Sequence, residues 1–169
     1  LGIIGDKIVK IGDLSRAKAE KVLDCSGLVV TPGFIDIHNH SDMDVLAVPT
    51  AENYIMQGVT TVVIGNCGST PAPVSEKNKD LLIETLPSYL KTIPFNWKTF
   101  AEYLKALESA TPSINVAALV GHGTVRSATL GIENRDPTSK ELEEMKSHVK
   151  EAMKAGCFGL STGLIYDPG

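Results

Sequence analysis

His38 and His40 stand two residues apart in the run Gly33-Phe34-Ile35-Asp36-Ile37-His38-Asn39-His40. On an extended chain alternate side chains share a face, so this spacing lets two imidazoles grip one ion. Imidazole is a favoured ligand of Zn²⁺ and its neighbours in the first transition row. A bare His-x-His also fits two polar histidines on a loop. Its position, directly after a short apolar strand and a Pro-Gly boundary, favours the metal.

Cys67 is the second candidate. It sits between Asn66 and Gly68 in Gly65-Asn66-Cys67-Gly68, after a β-branched run. Glycines let the backbone turn sharply and approach a ligand, and a thiolate is a strong zinc ligand. A buried structural cysteine and a nucleophile paired with His122 are the alternatives. His122, between two glycines, can face a pocket or bond loop carbonyls. Arg126 can pair with a substrate carboxylate through its planar fork or serve an ordinary ion pair. Tyr166 can donate a hydrogen bond to substrate or simply pack. Asp42 can orient a ligand histidine or be an ordinary loop aspartate. Cys25 and Cys157 read as small apolar residues.

Elements must bring these residues together. Residues 1–30 read as short antiparallel strands: Leu1–Ile4 and Lys7–Ile11 around a Gly5-Asp6 turn, a second turn at Gly12-Asp13, then Lys21–Asp24 and Leu28–Val30. After Pro32-Gly33 the pattern changes. Strands are predicted at Phe34–Ile37, Val59–Ile64, Ile114–Val120 and Phe158–Ser161, the second buried on both faces. Helices are predicted at Ala51–Gln57, residues 78–90, Trp97–Ser109 and Ser139–Ala155. Phe100, Leu104 and Leu107 form a stripe on the third helix. Thr138 or Ser139 caps the last helix and Gly156 ends it. Four strand–helix alternations imply parallel βα units, in a doubly wound sheet or the first half of a (β/α)₈ barrel. A whole barrel takes about 250 residues. In either, the chemistry belongs at the strand C-termini, where His38, His40, Cys67 and His122 fall.

Composition narrows the function classes. The 169 residues are 43% hydrophobic and 21% charged, with a formal net charge of −4. The 16 basic residues are scattered and form no stripe for nucleic acid. No apolar run approaches the roughly 20 residues that span a bilayer, so no membrane partner is expected. Three cysteines without a CxxC suit a reducing cytoplasm. No charged-then-apolar leader precedes the first strand, so no signal peptide is expected. Leu1 opens inside a strand and Gly169 follows one closely, so the chain is expected to be cut at both ends, leaving apolar strand edges open.

Taken together, these segments resemble the amidohydrolase superfamily, within it the D-aminoacylase (N-acyl-D-amino-acid deacylase) group. The residues that carry the resemblance are Val29 to Asp42, with its Pro-Gly-Phe-Ile-Asp-x-His-x-His run, and Gln57 to Gly68, ending in Gly-Asn-Cys-Gly. Val120 to Arg126 and Ala155 to Gly169, with Ser-Thr-Gly-Leu-Ile-Tyr, complete it. The first run marks the superfamily; Gly-Asn-Cys-Gly and Ser-Thr-Gly-Leu-Ile-Tyr point to the subgroup. The resemblance implies an α/β fold: the first half of a metal-dependent hydrolase (β/α)₈ TIM barrel over residues 34–169, preceded by part of a small β-sandwich over residues 1–33. It implies His38, His40 and Cys67 as ligands for one or two zinc ions and Tyr166 on the substrate side, where Arg126 and His122 are the further candidates from their own chemistry. Many superfamily relatives use a carboxylated lysine on the fourth strand, and Phe158 to Thr162 contains none. Two further histidines and an aspartate general base are expected beyond Gly169.

The implied reaction is zinc-dependent hydrolysis of a small N-acyl-D-amino acid to a carboxylate and a D-amino acid, with this chain inactive by itself. A cyclic-amide hydrolase of dihydroorotase or hydantoinase type, or a barrel fragment without catalysis, are the rival readings. An oligomer remains an open option.

Overall fold

The computed structural model describes residues 1–167, in two compact units divided after Pro32. Pro168 and Gly169, the last two residues of the resemblance, lie outside the described residues.

In the first unit, β1 (Gly2–Ile4) and β2 (Lys7–Lys10) form an antiparallel hairpin around Gly5-Asp6. Gly5 has φ +59°, the left-handed conformation such a tight turn favours. The strands predicted at Lys21–Asp24 and Leu28–Val30 are not formed; these residues run without ladder partners. Apolar alternation there found no neighbouring edge to bond. Only Leu14 and Cys25 among the apolar side chains of this unit are even half-buried. A hairpin of this size does not bury enough surface to order further strands.

The second unit is built on parallel strands. β3 (Phe34–Asp36), β4 (Val59–Ile64) and β5 (Asn115–Ala118) pair in that order. β6 (Val120–Gly121) continues β5 past Leu119 and pairs in parallel with β7 (Leu160–Ser161). The Leu119 N–H still donates to the Ile64 carbonyl (2.9 Å), while the Val120 N–H donates to Gly159 (2.9 Å) and the Phe158 N–H to Ala118 (2.9 Å). The third strand is thus one strand that hands its hydrogen bonds from the second to the fourth at Leu119. All four run side by side in chain order, as successive βα units do.

The helices between them are α1 (Asp44–Ala47), α2 (Glu52–Ile55), α3 (Lys79–Thr85), α4 (Phe100–Ala110), α5 (His122–Leu130) and α6 (Ser139–Ala155). α4 and α6 each begin with a capping box, Thr99 with Glu102 and Thr138 with Glu141. Glu151 of α6 also accepts from the Phe100 and Ala101 N–H groups (3.2 Å each), placing a carboxylate at the positive end of α4. The core lies between the strands and these helices. Val62, Ile64, Ala118 and Val120 meet Phe100, Tyr103 and Leu107 of α4, Val125 and Leu130 of α5, and Met145 and Ala152 of α6. Burying each larger side chain contributes about 1.5–3 kcal/mol, more than the propensity differences that sequence reading weighs.

Two expectations are corrected. β4 is fully buried only at Val62 and Ile64; Val59, Thr61 and Val63 on its other face are half-buried. Residues 122–130, where no helix was predicted, are helix α5. Its glycine and threonines have poor helix propensity, but Thr124, Val125 and Ser127–Leu130 are all buried, so packing forms this helix.

Candidate metal centre

The ladder of β3 ends at Asp36, and the histidine pair sits on the extended segment that follows. The rings of His38 and His40 meet edge to face, centroids 5.6 Å apart. Asp36 turns the chain by accepting from the His38 N–H (3.1 Å). Across from them, Asn66–Gly68 forms a single 3₁₀ turn at the end of β4. Cys67 within it has φ 57° and ψ 27°, left-handed and sterically costly for a residue with a Cβ. The consequence is chemical: Cys67 Sγ lies 3.4 Å from His38 Nε2.

One ligand atom from each of His38, His40 and Cys67 fits within a sphere of contacts no wider than 4.8 Å between any two. Two ligands of one tetrahedral zinc stand about 3.3–3.8 Å apart, given Zn–N and Zn–S bonds near 2.0 and 2.3 Å. The Cys67–His38 pair already has that separation. The ring of His40 makes no protein hydrogen bond among the described residues, which leaves its nitrogens free. Two imidazoles and a thiolate are donors that zinc accepts, and the residues present fit the ion.

The cluster opens into a cavity of about 400 Å³. His40, Cys67, Gly68, Gly123 and Tyr166 line it, and Leu81 and Leu82 of α3 supply apolar wall. Tyr166 is therefore on the same cavity as the cluster.

The other candidates go elsewhere. Arg126 does not line the cavity: its guanidinium donates to the carbonyls of Glu133 and Arg135 (2.8 Å each), pinning the α5–α6 connection. Both bonds come from Nη2, and they set the guanidinium on the α5–α6 connection rather than on the cavity wall. His122 begins α5, half-buried, with Nδ1 buried and unpartnered, and it does not line the cavity. Asp42 is buried and makes no hydrogen bond to either histidine among the described residues. Burial pushes its carboxyl up to about 7. Its main-chain carbonyl accepts from the Tyr103 hydroxyl (2.9 Å), which ties the histidine loop to α4.

Sequence reasoning missed Asn66 and Ser161. The Asn66 amide donates to the carbonyls of Asn39 (3.0 Å) and Val63 (2.8 Å), joining the histidine segment to the cysteine turn. The Ser161 hydroxyl accepts from the Gly68 N–H (3.0 Å) and donates to the Gly65 carbonyl. Both residues stand in the motifs that marked the subgroup, but no local pattern separates an anchoring amide or hydroxyl from a surface one.

Comparison with known proteins places this geometry. A family profile described as the amidohydrolase family matches residues 21–167. The chain is 42% identical over 168 residues to the D-aminoacylase of Alcaligenes xylosoxydans xylosoxydans, covering 99% of this chain and 34% of that protein. It is 42% identical over 171 residues to the N-acyl-D-glutamate deacylase of the same organism, covering 100% and 34%. Among solved structures, a D-aminoacylase studied for its binuclear metal centre superposes with a TM-score of 0.85 at 39% identity, over 97% of this chain and 34% of that one. The N-acyl-D-glutamate deacylase of Bordetella bronchiseptica, complexed with zinc and a phosphonate inhibitor, gives 0.81 at 38% identity, over 95% and 33%. The chain spans about a third of the length of these relatives.

Proposed function

The chain belongs to the amidohydrolase family, and from that premise we propose that it supplies one side of the zinc centre of an N-acyl-D-amino-acid deacylase. The observation that carries this reading is the convergence of His38, His40 and Cys67 across 29 residues of chain, at the ends of two adjacent parallel strands. Similarity to two deacylases over the whole chain supports the substrate class.

The fold reading goes with it. Residues 34–169 are the first four βα units of a (β/α)₈ barrel, and residues 1–33 part of a small β-sandwich. The chain-order parallel strands support this, as do the apolar side chains of β3 and of the segment after β7 that stand exposed: Phe34, Ile35, Leu164 and Ile165. The aspartate general base and two further histidines lie on the barrel strands that follow. Three free cysteines are compatible with a reducing cytoplasm.

His38 and His40 would hold zinc through imidazole nitrogens and Cys67 through its sulfur. Bound zinc supplies Lewis acidity toward an acyl carbonyl and toward water. The Tyr166 hydroxyl, on the same cavity, donates to the substrate and orients it. Leu81 and Leu82 of α3 give the cavity an apolar wall beside the acyl group.

Metal analysis and turnover of the full-length protein test this. Near-stoichiometric zinc, hydrolysis of N-acetyl-D-amino acids but not their L-enantiomers, and loss of metal on His38→Ala, His40→Ala or Cys67→Ala are expected. Full metal occupancy in all three variants would overturn the ligand assignment.

A further inference from the structure

We propose that Ser161 is a positioning residue for the metal centre: its hydroxyl bridges Gly65 and Gly68 and so holds Cys67 in the left-handed conformation that turns its sulfur toward His38. The inference rests on reading His38, His40 and Cys67 as ligands, and adds what keeps the third of them in place.

The Cys67 turn is left-handed at three of its four residues and strained at one, Cys67. Gly65, Cys67 and Gly68 have φ of 81°, 57° and 77°. Glycine adopts this region freely; a cysteine does not. One main-chain bond closes the turn, from the Ser69 N–H to the Asn66 carbonyl, and at 3.2 Å it is long. Such a conformation persists only where the surroundings over-determine it.

The surroundings here come from the fourth strand, about ninety residues away in the chain. Ser161 of β7 accepts from the Gly68 N–H at 3.0 Å and donates to the Gly65 carbonyl. Its one hydroxyl thus spans the turn, bonding the residue two before Cys67 and the residue after it. Asn66 anchors the opposite side to the Asn39 carbonyl, between the two histidines. Close packing makes the grip possible. A Cβ on Gly163 would run into the Cys67 carbonyl, and one on Gly121 into that of Gly68. The Gly-Asn-Cys-Gly and Ser-Thr-Gly-Leu-Ile-Tyr runs therefore belong to one device: the second presses a serine and a bare glycine against the first. Without the hydroxyl, Cys67 is free to relax toward a right-handed conformation, which swings the sulfur away from His38.

Cobalt(II) substitution in the full-length protein tests this, because a thiolate ligand gives a sulfur-to-cobalt charge-transfer band that histidines do not. Cys67→Ala assigns the band. Ser161→Ala is expected to weaken cobalt affinity on the order of tenfold, as loss of a ligand's supporting partner does, and to diminish the band at saturating metal. Ser161→Thr, which keeps the hydroxyl, is expected to restore both. A Ser161→Ala protein with undiminished band and affinity overturns the proposal, as does a Ser161→Thr protein as impaired as Ser161→Ala. Should Ser161→Ala not fold, Ser161→Thr against the isosteric Ser161→Val decides on the same readings: a difference supports the hydroxyl, equality overturns it. A wild-type protein lacking the band overturns the metal reading itself, a result distinct from the others.

Discussion

Cys67 Sγ stands 3.4 Å from His38 Nε2, although 29 residues separate the two in the chain. The contact is made by two neighbouring parallel strands in register, Ile35 opposite Thr61 and Asp36 opposite Val62, each running on into the segment that bears one of the two side chains. The alignment of one strand on the next is what converts two unremarkable motifs into the proposed ligand set.

The left-handed Cys67 backbone makes a prediction about stability. Cys67→Gly relieves the Cβ clash and is expected to stabilise the metal-free protein by about 1 kcal/mol, while abolishing the thiolate–cobalt band. Urea denaturation of the metal-free proteins checks it; a variant less stable than wild type contradicts the strain assigned to this residue.

Tyr103 is wholly buried, and its hydroxyl donates to the Asp42 carbonyl. Tyr103→Phe leaves that carbonyl without its partner in an apolar setting, an expected loss of about 1–3 kcal/mol. Because Asp42 follows His40 so closely, the variant is also expected to bind zinc more weakly. Chemical denaturation and competitive zinc titration measure the two effects, and unchanged values in both would remove Tyr103 from the support of the histidine loop.

Glu141 carries a pH dependence. The Arg135 guanidinium (2.7 and 2.8 Å), followed by the Thr138 N–H (2.8 Å), holds its carboxyl well below the usual carboxylate range. A depressed folded-state pKa contributes stability above the unfolded value of 4.5, and that contribution is lost as pH falls through the folded value. Glu141→Gln is therefore expected to be less stable than wild type at pH 7, with the gap closing as the solution is acidified below about 4. Thermal melts across that range check it. A gap that widened in acid would reverse the sign.

The purified 169-residue chain by itself is expected to show no deacylase turnover, since the general base and two ligands are assigned to strands it does not contain. Release of D-amino acid from N-acetyl-D-amino acids is the assay, with His38→Ala as the control for contaminating enzyme. Turnover abolished by that substitution would show that the segment holds a sufficient site.

What the sequence by itself determined is local. The parallel βα character was readable because β-branched runs alternate with capped amphipathic stretches, and α6 was readable from Thr138 and Gly156 together. His38 and His40 were readable as a pair because a period of two is a property of any extended chain. Cys67 was readable as a candidate because glycines flank its turn. The tertiary structure decided everything that depends on a partner distant in the chain. It brought Cys67 to His38, gave Ser161 and Asn66 their anchoring roles, and set Arg126 against two carbonyls of the α5–α6 connection. It made a helix of residues 122–130, whose poor intrinsic propensity is outweighed by burial, and it left Lys21–Asp24 and Leu28–Val30 without ladders, because a strand pattern becomes a strand only where a second edge offers its hydrogen bonds. The physical reason is the same throughout: propensity and periodicity are properties of a segment, whereas a metal centre is a property of the distances between segments.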